Sequence, residues 1–148
     1  MFRLYVERKR GFQNEAERIK SDIIRFLRIP SVTGVRYLNR YDVENISDEE
    51  AKEAAHRIFS EPQSDECIFD RLPLHPGETA IAWEYLPGQY DQRSDSAEQC
   101  LSLLRASLPE KSRGKQEPRV RCAKVVLLSG AVSARDIERI QNYLINPV

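Results

Sequence analysis

Ser47–Phe59 reads SDEEAKEAAHRIF and Ser133–Ile145 reads SARDIERIQNYLI. Each opens on a serine with an acid three residues on, Glu50 or Asp136, the spacing at which a side-chain oxygen satisfies orphan amides at a helix N-terminus. Ser133 lies 86 positions after Ser47, and that offset carries Ala51, Ala54, Ile58 and Phe59 onto Ile137, Ile140, Leu144 and Ile145. Residues three and four apart share a helix face, so both segments predict amphipathic helices with the same apolar stripe. Helix faces also converge by accident; the order of the flanking elements is what points to a duplication.

Working outward, Phe2, Leu4 and Val6 alternate as a strand does, and Ala16, Ile19, Ile23, Phe26 and Leu27 form one face of a helix from Asn14 to about Arg28, stopped by Pro30. Val35, Tyr37, Tyr41 and Val43 mark a second strand, interrupted at Asn39, where a bend or bulge is expected. The same order recurs beyond a connector at about 62–78, which holds Pro62, Pro73, Pro76, Gly77 and room for one edge strand around Cys67–Phe69. Ala80–Leu86 alternates; Ala97, Cys100, Leu101, Leu104 and Leu108 make a helix ending at Pro109. The run Val125–Leu128 implies a strand buried on both faces. Gly130 then turns the chain into the last helix, which ends before Pro147. Glu110–Pro118 is hydrophilic and reads as an exposed, mobile loop. The fold class expected is α+β: two strand-helix-strand-helix halves, about 1–61 and 79–148, related by a pseudo-twofold axis and closing one sheet-and-helix core in a single domain, 1–148.

Composition excludes several functions. With 41% hydrophobic and 31% charged residues in 148, the chain can bury one core. Lys plus Arg and Asp plus Glu both count 23, so no net field draws nucleic acid or an anionic membrane. No apolar run approaches the roughly 20 residues of a membrane helix, and MFRLYVERKR lacks the core of a signal peptide. A cytoplasmic protein is expected. Cys67, Cys100 and Cys122 are odd in number and form no Cys-x-x-Cys pair, which suits reduced thiols; Cys100 is expected on the buried helix face and Cys122 in a strand. His56 and His75 have no second ligand at metal spacing, so no metal is assigned.

Specific chemistry is densest in Trp83–Cys100, WEYLPGQYDQRSDSAEQC. A strand ends at Pro87-Gly88, polar residues follow, and a helix begins with Asp95 or Ser96 as cap. The candidate contact residues are Gln89, Asp91, Gln92, Arg93 and Asp95, held between rigid flanks to meet a partner or ligand. The competing reading is a solvated connection whose Asp and Ser only cap the helix.

The runs EYLPGQYDQRSDSAEQC, LYVERKRGFQNEA and VRYLNRYDVENIS, the FSEP tetrapeptide and the tail YLINPV together resemble the N-terminal domain of large, single-chain phosphoribosylformylglycinamidine synthase, from about Arg3 to Val148. That domain is similar to two fused copies of the small subunit of the multi-subunit enzyme. The resemblance implies a fragment of an ATP-dependent, glutamine amidotransferase ligase of purine biosynthesis. Its synthetase module, with ATP and magnesium, and its glutaminase module would lie elsewhere in the same chain and be this domain's partners. No Gly-rich phosphate loop and no Cys-His-Glu signature occurs here. No catalytic residue and no cofactor is therefore assigned, and the implied role is docking, alignment of the modules and shelter of the ammonia route. A free-standing regulatory small-molecule-binding module is the alternative. RNA recognition is disfavoured because Val120–Ser129 carries no aromatic residue.

Overall fold

Val125–Leu128 are all buried, and the strand that contains them, β5 (Arg119–Gly130), has a neighbour on each side. The computed structural model, which describes residues 1–86 and 88–145, places β5 in a five-stranded sheet of order β3-β1-β2-β5-β4. The other strands are β1 (Phe2–Arg8), β2 (Val32–Glu44), β3 (Asp65–Phe69) and β4 (Glu78–Glu84). Every neighbouring pair is antiparallel. Four helices interleave with them: α1 (Asn14–Arg25), α2 (Asp48–Arg57), α3 (Gln92–Ser107) and α4 (Ala134–Ile145). The architecture is α+β, and with β3 set aside the order β1-β2-β5-β4 reads the same after the two halves are exchanged.

The helices share one face of the sheet. Ala54 of α2 packs with Ala97, Leu101 and Leu104 of α3 over Leu4, Val43 and Val120. Ile19 and Ile23 of α1 pack with Ile140 of α4 over Ile81, Val126 and Leu128. Each cluster therefore draws one helix from each half, so neither half closes a core alone. At roughly 1.5–3 kcal/mol for each large aliphatic side chain fully buried, these clusters are the main attraction between the halves. The opposite face carries no helix among the described residues; Tyr5, Leu38, Val125 and Leu127 pack there with Ile68 of β3 and Leu72 of the segment after it.

Local signals set the helix starts. Ser47 accepts from the Glu50 amide at 3.1 Å while Glu50 accepts from the Ser47 amide at 2.9 Å, a closed capping box. Ser133 caps α4 with one such bond, accepting from the Asp136 amide at 3.1 Å. Two expectations are corrected. β2 runs unbroken through Asn39, which is paired with Val6 on one side and Lys124 on the other; the register slips only between Val32 and Gly34, at the strand's start. The hydrophilic segment 110–118 is tied down rather than loose: the Ser112 carbonyl accepts from Ser47 at 2.5 Å, the Gly114 amide donates to Glu50 at 2.8 Å, and the Gln116 carbonyl accepts from Arg105 at 2.6 Å. The prolines read as terminators, Pro87 and Pro147, lie outside the described residues. Among the described residues no helix is long and apolar enough to cross a membrane.

Gly130 ends β5 at φ +112°, and a Cβ there would run into the Ser31 carbonyl oxygen. The backbone can adopt this angle only without a side chain. Gly130→Ala should lower unfolding free energy by about 3 kcal/mol, read by urea denaturation. A loss under about 1 kcal/mol would mean that the turn relaxes freely.

Candidate functional site

β4 ends at Glu84, two residues earlier than its alternation suggests, so Tyr85 and Leu86 belong to the turn. That turn is braced from within: Gln89 accepts from the Leu86 amide at 2.8 Å and returns its own amide to the Leu86 carbonyl at 3.0 Å. Gly88 supplies the positive φ of +88° that the bend requires. The cap of α3 is Asp91, not Asp95 or Ser96. Its Oδ1 accepts from the amides of Arg93 and Ser94 at 3.0 and 3.3 Å, and its Oδ2 accepts from the Ser94 hydroxyl at 2.8 Å. The helix consequently begins four residues before Ser96, at Gln92, and Asp95 sits in its first turn, accepting from Gln99 at 3.0 Å and Tyr90 at 3.5 Å.

These braces frame an open cleft of about 580 Å³ between the ends of β4 and β5 and the start of α3. Gln89, Asp91 and Asp95 line it; Gln92 and Arg93 do not. Gln92 is exposed, with no side-chain hydrogen bond among the described residues. Arg93 turns back under the helix, donating to the Tyr41 hydroxyl at 3.3 Å. The polar candidates are thus mostly occupied in holding the loop. What the cleft presents outward is Tyr85, Leu86 and Tyr90, which are 58%, 69% and 72% exposed. Sequence reasoning missed these three. It assigned Tyr85 and Leu86 to an alternating strand and weighed only polar residues after Pro87, although three large apolar side chains flanking a Pro-Gly turn were a usable signal.

Electrostatically the walls are acidic. Glu84, Asp91, Asp95 and Glu98 stand against Arg121, which is itself paired with Glu84 at 2.9 Å. Glu98 also accepts from the Val120 amide at 2.9 Å, fixing α3 to β5. The thiol that lines the cleft is not activated: burial pushes Cys122 up to about 11, so it is protonated at neutral pH. Cys100, expected on the buried stripe, is exposed, because the face of α3 that meets the sheet is set by Ala97, Leu101 and Leu104.

Fold and site together define a layered α+β domain that presents a braced, acidic cleft with an apolar lip. The chain matches no protein-family model, no curated protein and no solved structure.

Proposed function

We propose that the chain is the small-subunit-like N-terminal domain of phosphoribosylformylglycinamidine synthase, a non-catalytic docking element of the ATP- and glutamine-dependent ligase that makes formylglycinamidine ribonucleotide in the cytoplasm. On this reading its partners are the synthetase and glutaminase modules, and ATP and magnesium belong to the former. One observation carries the docking role: Tyr85, Leu86 and Tyr90 are exposed on a loop whose polar groups already satisfy one another. A surface ordered before contact loses little entropy on binding, and aromatic side chains with an acidic rim make suitable anchors. Firm docking would keep the modules aligned and the ammonia route dry, where water would otherwise protonate the nucleophile.

In an enzyme assembled from this domain and its two modules, the double variant Leu86→Ala/Tyr90→Ala should lower glutamine-dependent turnover by roughly tenfold, the loss of one or two anchor residues, with ammonia-dependent turnover retained. Equal loss of both activities, or no loss, counts against docking at this cleft. The volume of the cleft is also that of a small-molecule site, which keeps the regulatory reading in view. Its four carboxylates repel nucleotide phosphates, so a thermal shift with purine nucleotides that is abolished by Tyr90→Ala would be needed to favour it.

A further inference from the structure

Because the helices pack as α1 with α4 and α2 with α3, the middle of the sheet's helix-bearing face is left uncovered. Asn39 and Lys124, cross-strand partners near the middle of the β2–β5 ladder, are half-buried and exposed there. Arg93 reaches this trough from the first turn of α3. Its guanidinium donates to Tyr41 and lies close enough to Tyr37 for its charge to act on that hydroxyl. Tyr37 and Tyr41 are two positions to either side of Asn39 and share its face, so Arg93, Asn39 and Lys124 lie on the same side of the sheet.

Charges on the other face are matched: Arg3 and Arg40 meet Asp42, and Arg36 meets Glu7 and Glu78. Neither Arg93 nor Lys124 has an ion-pair partner among the described residues. Acids whose charge acts on these groups are engaged elsewhere, Glu15 with Arg18 at 2.6 Å, Asp65 with Arg8 at 3.4 Å and Asp91 with the cap of α3. Burial raises the Tyr37 and Tyr41 hydroxyls above their ordinary value, so both keep their protons to donate. Two cations, two phenols and an amide therefore share this face, and neither cation is ion-paired among the described residues.

We propose that this trough is an oxyanion site that binds a phosphate dianion, free or carried on a small ester, between Arg93 and Lys124, with Asn39 and Tyr37 as neutral donors. Two positive charges match two negative ones, and donors approaching from both strands and from α3 suit a tetrahedral group better than a planar carboxylate. The inference does not depend on the docking proposal, since neither Arg93 nor Lys124 lines the cleft.

Calorimetric titration of the 148-residue chain with inorganic phosphate and with a sugar phosphate, at ionic strength held constant with chloride, tests it. Saturable one-site binding is expected, weakened roughly tenfold or more by Lys124→Gln and by Arg93→Gln, as for loss of a charged hydrogen-bond donor. Phosphate-induced amide shifts should centre on Asn39 and Lys124. Tighter binding of the ester identifies an esterified ligand, and equal binding a bare phosphate. Lys124 is exposed, so its variant should melt with the parent protein. Non-saturating heats, unchanged affinity in a folded Lys124→Gln variant, or shifts centred on other cations would overturn the proposal.

Discussion

Glu50→Ala is expected to cost about 3–5 kcal/mol, the usual penalty for removing one member of a buried ion pair. Glu50 is 2% exposed, and its carboxylate accepts four hydrogen bonds: from the Ser47 amide, the Gly114 amide at 2.8 Å, and Arg105 at 2.6 and 3.2 Å. Arg105 in turn donates to the Asn45 carbonyl at 2.7 Å and the Gln116 carbonyl at 2.6 Å. One carboxylate thus joins α2 in the first half to α3 and the 110–118 segment in the second. Alanine leaves a guanidinium and an amide unpaired and opens the capping box. Glu50→Gln keeps the shape without the charge and should cost less, about 2 kcal/mol.

The pH dependence follows from the same contacts. Burial alone would raise the Glu50 carboxyl above its usual value of 4.5, but the bonds from Arg105, Ser47 and Gly114 outweigh it and hold the group lower when folded. A depressed carboxyl contributes stability that is present above pH 4.5 and lost as pH falls through the folded value. The stability gap between the parent protein and Glu50→Gln should therefore narrow in acid. Urea denaturation at pH 7 and near pH 3.5 measures it; a gap that stays constant would show that the charge is not what matters.

The parts of the fold legible in the sequence are those settled by neighbours. Ser47 and Ser133 cap their own third residues, and apolar stripes at three and four need only the helix that carries them. Features settled by distant residues were illegible. Glu110–Pro118 has a hydrophilic composition, yet its partners Asn45, Ser47 and Glu50 lie in the other half of the chain. Asn39 resembles a break in an alternating pattern, but two strands claim it. At the candidate site the start of α3 was ambiguous because Asp91, Ser94, Asp95 and Ser96 are all competent caps. Register decides among them: β4 stops at Glu84, and the Leu86–Gln89 turn then delivers Asp91 to the helix end. With the polar residues other than Gln92 committed to local hydrogen bonds, the large side chains left exposed there are Tyr85, Leu86 and Tyr90.

Arg36→Met should be comparably damaging, at about 3–5 kcal/mol near neutral pH. Arg36 lies on the helix-free face, where it grips Glu7 of β1 with two bonds of 2.9 and 2.7 Å. It also reaches Glu78 of β4 at 3.3 Å, although β4 is not its neighbour. The strand between them is β5, whose Leu127 pairs with Arg36 on one side and with Ala80 on the other, so the guanidinium spans a buried leucine. Without a helix layer, this face is closed by side chains of that kind, with apolar stems over the sheet and charges joined above it. Methionine keeps the stem and removes the charge, leaving two carboxylates whose side chains are 11% and 2% exposed on the same apolar patch. Arg36→Lys should recover only part of the loss, since an ammonium cannot reproduce the two-pronged grip on Glu7 while also reaching Glu78. The triple variant Arg36→Met/Glu7→Gln/Glu78→Gln should be more stable than Arg36→Met, because no uncompensated charge remains. If the triple variant is weaker still, the ladder stabilises through the packing of its stems, and the charges on this face serve only to keep it in water.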